Sequence, residues 1–274
     1  MRKGAIKNFS HVLLLGALML GACSKGGETV KPVTPPPSTG TDTTATPPPT
    51  TPPPGEDSFP TETLGLSTEK VTGDVGNINP EYVLYVPDTY NSDKTKKWPL
   101  VIFLHGVGEM GTDINKVKNV GLCKVVKGKQ FVMVAPQCTR WWWNTDALQQ
   151  FFKQIITKYH VDPSRVYLTG LSMGGFQTWV WGEYYPEQFA AIAPICGGGE
   201  VDKACSLKNM PVWAFHNADD PTVSVNNSRD MVNAIKACGS TLLKYTEYPT
   251  GGHDAWTKTY ADADLYTWLL QQHK

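Results

Sequence analysis

From Tyr82 onward, short unbroken apolar runs alternate with segments of helical period, and few architectures accept that pattern. The strand candidates are Tyr82–Val86, Leu100–Leu104, Phe131–Ala135, Val166–Thr169, Ala190–Ala193, Val212–Phe215 and Leu242–Glu247. Between the third and the fourth, Leu148, Phe151, Phe152, Ile155, Ile156 and Tyr159 recur at the spacing of one helical face. Asn144 or Thr145 can cap the start of that helix. Further helices are expected over Met173–Tyr185, Val225–Cys238 and Tyr260–Gln272. Strands that are apolar on both faces must be covered on both. The pattern therefore predicts an α/β fold, a mostly parallel central sheet with helices on both faces.

Residues 1–58 break from this pattern. Arg2, Lys3 and Lys7 precede an apolar run, Val12–Leu20, which leads into Leu20-Gly21-Ala22-Cys23. The run is short for a membrane span, which needs roughly 20 apolar residues. It reads instead as an export signal over residues 1–22. Leu-Gly-Ala-Cys resembles a bacterial lipobox, which implies lipidation of Cys23 and a membrane anchor; an ordinary signal with an incidental cysteine is the alternative. An exported lipoprotein of the outer membrane or cell surface, on either side, is the expectation. Glu28–Ser58 holds ten Pro, nine Thr and no aromatic residue. Such a segment buries too little apolar surface to offset its ordering entropy, so residues 23–58 are expected to be a stalk, extended at about 3.1 Å per residue where polyproline. Residues 59–274 are then the folded domain, with all nine Trp and eleven Tyr. The net charge of zero gives no reason to expect a nucleic-acid partner.

Within the domain, Gly170-Leu171-Ser172-Met173-Gly174 joins a strand to a helix. Small residues on either side of the serine permit a sharp turn that lifts its hydroxyl above the sheet, at a helix N-terminus that favours negative charge. A serine needs a base to become a nucleophile, and in this kind of turn the partners follow in the order acid, then histidine. After one later strand comes His216-Asn217-Ala218-Asp219-Asp220, and after the last comes Gly251-Gly252-His253-Asp254. His253 is thus the candidate base. The residues alone barely separate Asp219 from Asp220 as its partner. His216 is read as closing a strand, and Asp254 as a local loop partner. Leu100–Leu104 runs into His105-Gly106-Val107-Gly108-Glu109, a loop suited to donate a backbone amide to an oxyanion, at Val107, alongside the amide of Met173.

These stretches, with Ala135-Pro136-Gln137-Cys138 and Pro194-Ile195-Cys196-Gly197, resemble the secreted esterases of the α/β-hydrolase superfamily, related to dienelactone hydrolases and the prolyl oligopeptidase catalytic domain. The resemblance covers about Tyr82 to Leu270. It implies the α/β-hydrolase fold, selects Asp220 as the acid, and implies ester hydrolysis by an acyl-enzyme route on substrates such as acetyl or feruloyl groups of polysaccharides. One departure is Asn217, where relatives read glycine. Trp142 and Trp143, in a run of three tryptophans after a strand, and Trp256, three residues beyond His253, are candidate contacts for a sugar or aryl group. A peptidase with the same triad and a non-catalytic glycan-binding lipoprotein are the rival readings. No Cys-x-x-Cys or His-x-x-x-His spacing suggests a metal, and no cofactor is expected. Of the domain's cysteines, Cys196–Cys205 and then Cys123–Cys138 are the pairings that short loops favour.

Overall fold

The computed structural model describes residues 59–274; the expected signal, Cys23 and the Pro/Thr-rich stalk lie outside the described residues. Eight strands form one sheet in the order β1-β2-β4-β3-β5-β6-β7-β8. They are β1 (Gly65–Lys70), β2 (Ile78–Val86), β3 (Trp98–Leu104), β4 (Val132–Cys138), β5 (Val161–Leu171), β6 (Ala191–Ile195), β7 (Val212–Asn217) and β8 (Leu243–Tyr248). β2 runs antiparallel to both its neighbours, β1 and β4. From β4 across to β8 every pairing is parallel. The expected mostly parallel sheet is therefore present. β1 was not expected: Gly-Leu-Ser-Thr-Glu-Lys has little apolar content, as suits a half-exposed edge strand.

The helices are α1 (Asn115–Lys118), α2 (Thr145–Lys158), α3 (Met173–Tyr184), α4 (Asn226–Ala237), α5 (Trp256–Ala261) and α6 (Ala263–Leu270). Asn144 caps α2, its side chain accepting the Ala147 N–H at 2.9 Å. The helix expected over Tyr260–Gln272 is two helices. Asp262 leaves helical geometry at φ −77°, ψ 120° and its carboxylate caps a new start by accepting from Asp264 N.

Side-chain alternation along β3 shows how the sheet is covered. Leu100, Ile102 and Leu104 pack in one cluster with Leu148, Phe151 and Ile155 of α2 and with Trp179 and Trp181 of α3. Val101 and Phe103 point the other way, into a cluster with Tyr260, Leu265 and Leu269 of α5 and α6. Burying each such side chain contributes roughly 1.5–3 kcal/mol, which is what holds helices of modest intrinsic stability on the sheet.

The cysteine expectations are overturned. Cys205 bonds Cys238, tying the 3-10 segment Val201–Leu207 to the end of α4, while Cys123, Cys138 and Cys196 are free and buried. Sequence proximity misled because Cys196 closes β6 facing the sheet's end: its thiol donates to the His253 carbonyl at 3.4 Å.

Candidate active site

Ser172 stands between β5 and α3 with φ 52° and ψ −118°, a conformation that side chains other than glycine's rarely adopt. What holds it there is close packing on both flanks. A Cβ at Gly170 would lie 2.4 Å from Gly174 O, and one at Gly174 would lie 2.1 Å from Leu104 O. Only glycine fits at either place, so the turn can sit hard against the end of β3. The Ser172 N–H donates to Ile195 O at 3.0 Å, tying the turn to β6 as well.

The loops after β7 and β8 bring the remaining groups to this point. His253 Nε2 is 2.8 Å from Ser172 Oγ, and His253 Nδ1 is 2.7 Å from Asp220 Oδ2. The other oxygen of Asp220 accepts backbone N–H groups from Thr222 and Val223 at 2.8 and 2.9 Å. Burial would raise the pKa of Asp220, but its bonds from His253, Val223 and Thr222 outweigh burial and hold it below the ordinary carboxylate range. The group stays an acceptor, which fixes His253 Nδ1 as the protonated nitrogen and leaves Nε2 free to take the Ser172 proton.

Asp219 faces elsewhere. Its carboxylate accepts the N–H groups of Gly251 and Gly252 at 3.2 and 2.9 Å, pinning the loop that carries His253. Asn217, the departure from the relatives' glycine, donates from Nδ2 to Gly252 O at 2.9 Å and holds the same loop. Asp254 serves its own loop, accepting from Thr257 N and Oγ1.

The His105–Glu109 loop lies against Ser172: a Cβ at Gly106 would come 3.5 Å from Ser172 Cβ. Val107 and Met173 each occupy the first position of a helix, where a backbone N–H has no intrahelical acceptor and is available to an incoming oxygen. Several residues that sequence reasoning missed support this loop. His105 is fully buried; its Nε2 accepts the Cys138 N–H at 2.9 Å, so its proton sits on Nδ1, 2.6 Å from Gly106 O. In a trans peptide, drawing the Gly106 carbonyl toward His105 turns the Val107 N–H the opposite way. Glu109 accepts the Gly106 N–H at 3.1 Å. Buried Gln137 donates to Glu109 O and Asp113 O, both at 2.8 Å. The stretches that hold these residues are legible in the sequence, but their supporting roles are not, because β4 brings the Cys138 N–H and Gln137 to the loop.

The three tryptophans part ways. Trp143 is buried, stacks obliquely on His105 with ring centres 4.7 Å apart, and donates Nε1–H to His105 O at 3.3 Å, so it braces the loop from inside. Trp142 is half exposed and meets Phe176, one turn after Ser172, edge-to-face at 5.9 Å. Trp141 is 86% exposed, on a backbone with φ 68°. Trp256 meets the His253 ring edge-to-face at 5.3 Å and lines a cavity of about 320 Å³ with Val120, Val125 and Tyr260. Cys196 Sγ lies within 4.8 Å of the ligand atoms of Asp220 and His253. Burial pushes its pKa up to about 12, so it stays a thiol and a poor metal ligand.

No protein-family model matches the chain. Among curated proteins, the chain is 27% identical over 189 residues to a bifunctional acetylxylan esterase/xylanase of Neocallimastix patriciarum, covering 62% of this chain and 26% of that one. It is 26% identical over 176 residues to a probable feruloyl esterase C of Aspergillus terreus, covering 60% of this chain and 63% of that one. Its share of these relatives' lengths is thus below two thirds. Among solved structures, a thermostable esterase superposes with a TM-score of 0.65 at 35% identity, over 76% of this chain and 63% of that one. The fold is that of the α/β-hydrolases, and the chain resembles esterases of that superfamily.

Proposed function

We propose that the protein is a serine hydrolase of carboxylic esters, with Ser172 as nucleophile, His253 as general base and acid, and Asp220 as the group that orients His253. The observation that carries this reading is the unbroken chain Ser172 Oγ–His253 Nε2 and His253 Nδ1–Asp220 Oδ2, at 2.8 and 2.7 Å. As His253 takes the hydroxyl proton, Oγ attacks the ester carbonyl. Its oxygen gains charge beside the Val107 and Met173 amides, and each such donor contributes about 2.7–4 kcal/mol to the transition state. Collapse expels the alcohol, which receives the proton from His253 Nε2. A water then repeats the sequence on the acyl-serine and frees the acid.

Acetyl or feruloyl groups carried on polysaccharides are the proposed substrates. The similarity to acetylxylan and feruloyl esterases supports this, as do the aromatic surfaces of Trp256, against His253, and Trp142, against Phe176 one turn after Ser172. Trp143 belongs to the scaffold of the oxyanion loop in this reading, not to the substrate surface. Export with a lipid at Cys23 and a stalk over residues 23–58 fits an enzyme that works on polymers outside the cell. Hydrolysis of p-nitrophenyl acetate and methyl ferulate by the protein and by Ser172→Ala tests the proposal. Turnover lost in the variant supports it, and turnover retained there overturns it. Activity on small esters with none on acetylated or feruloylated glycans removes the polysaccharide part alone.

A further inference from the structure

His216 is fully buried one strand away from His253, and the sequence offers it only as the end of a strand. Its Nε2 lies 3.0 Å from Val223 O and 3.3 Å from Asp220 Oδ2, the oxygen that also holds His253. Its Nδ1 lies 2.8 Å from Ser228 Oγ on α4, and that hydroxyl is 2.9 Å from Gly197 O. Proton counting restricts what this cluster can be. Val223 O and the ionised Asp220 only accept, so a hydrogen must stand on His216 Nε2. Ser228 has a single proton to give. In the neutral ring it goes to one of two acceptors, His216 Nδ1 or Gly197 O; if the ring is doubly protonated, Nδ1–H donates to Ser228 and Ser228 donates to Gly197 O. Burial lowers the pKa of His216, and the bonds to Val223 O and Asp220 oppose that only in part, which favours the neutral ring.

We infer that His216 is a positioning residue for catalysis: its Nε2–H shares Oδ2 of Asp220 with His253 and fixes the plane and charge of the triad carboxylate. Asp220 accepts from Thr222 N and Val223 N on one oxygen and from His253 on the other, and His216 Nε2, which donates to Val223 O, stands 3.3 Å from that second oxygen. The remaining charged groups near the ring are Glu247, its register partner on β8, and Arg229, which neutralises Glu247 from α4 at 2.6 Å. From the β6 side Gly197 O meets Ser228, and the Cys196 thiol, kept un-ionised by burial, lies within 4.8 Å of Asp220 and His253. Asp220 is the full charge that His216 Nε2 approaches within ion-pair distance, and what His216 does to the reaction passes through Asp220 to His253.

This inference rests on the serine-hydrolase reading, and two substitutions separate its parts. H216Q carries an amide N–H to the place of Nε2 and keeps the donor to Asp220. H216N reaches only the place of Nδ1, keeps the partner of Ser228 and loses that donor. In steady-state hydrolysis of p-nitrophenyl acetate, H216N is expected to lose about tenfold or more in kcat with KM within about twofold. H216Q stays near the wild type. Without the donor, Asp220 holds the His253 proton more tightly, so the acid limb of the H216N kcat/KM profile moves to higher pH. Equal losses in both variants with an unmoved acid limb would reduce His216 to a structural residue and overturn the inference. A folding failure of either variant leaves the wild type to decide: 15N NMR should show His216 protonated at Nε2 and bare at Nδ1 near neutral pH, and the opposite tautomer overturns it. Ser172→Ala, run alongside, tells the failures apart. If that variant retains activity the hydrolase reading falls; if it is dead while H216N is unchanged, only the role of His216 falls.

Discussion

Lowering the pH should weaken this fold through His105, at the base of the His105–Glu109 loop. The neutral ring uses Nε2 to accept the Cys138 N–H at 2.9 Å, so a second proton would face one N–H with another. Burial lowers its pKa from 6.5 to about 4, with the bond to Gly106 O opposing. A histidine with a depressed folded pKa contributes its full stability above its unfolded value and loses it as pH falls toward the folded one. Between those values the unfolded chain binds a proton that the folded chain refuses. The shift of 2.5 units, 6.5 minus 4, corresponds to about 3 kcal/mol at the acid extreme, and linkage gives about 2 kcal/mol lost by pH 5 relative to pH 7. Asp220 also loses stability in acid, while Glu183 shifts the balance the other way. A comparison with His105→Gln cancels both. Urea denaturation at about pH 7 and 5 should show the wild type losing about 2 kcal/mol more than the variant over that interval. Equal losses would refute the argument that His105 is held neutral by its burial and by the Cys138 amide.

Three further outcomes are expected. Asp220→Asn should cut kcat on the order of 10³–10⁴-fold by favouring the wrong histidine tautomer, whereas Asp219→Asn, which still offers an oxygen to the Gly252 N–H, should cost less than about tenfold; parallel kinetics on one ester decides. Reducing or replacing the Cys205–Cys238 bond, which closes a separation of 33 residues, should lower unfolding stability by about 2–4 kcal/mol and leave KM unchanged. Burial raises buried Glu183 to about 7, with the Glu200 N–H and Lys203 opposing and the Glu200 charge adding to it, so its charge costs stability as pH rises through 4.5 to 7. Glu183→Gln should therefore gain on the wild type between about pH 5 and 8, by at most ~3 kcal/mol in thermal or urea unfolding.

Local chemistry along the chain was enough to specify several parts of this protein. Two-sided apolar runs required a covered parallel sheet, and the spacing from Leu148 to Tyr159 required α2. Gly170 and Gly174 required a turn that nothing larger could make. Ser172 and His253 were legible because turn and strand-end signals sit beside them in the chain. Where a local signal was weak, the reading slipped: β1 is nearly polar, and Asp262 ends a helix that the apolar spacing would have continued. Packing between distant elements set Trp143 inward and Trp142 outward and joined Cys205 to Cys238, and it turned Asp220, the aspartate that the resemblance selects, toward His253. It also brought His216 Nε2 to 3.3 Å from Asp220 and His105 Nδ1 to 2.6 Å from Gly106 O. Each of those outcomes depends on an orientation set by elements distant in the chain. A side chain's partner is chosen by packing and by the need to satisfy every buried polar group, and neither quantity is local.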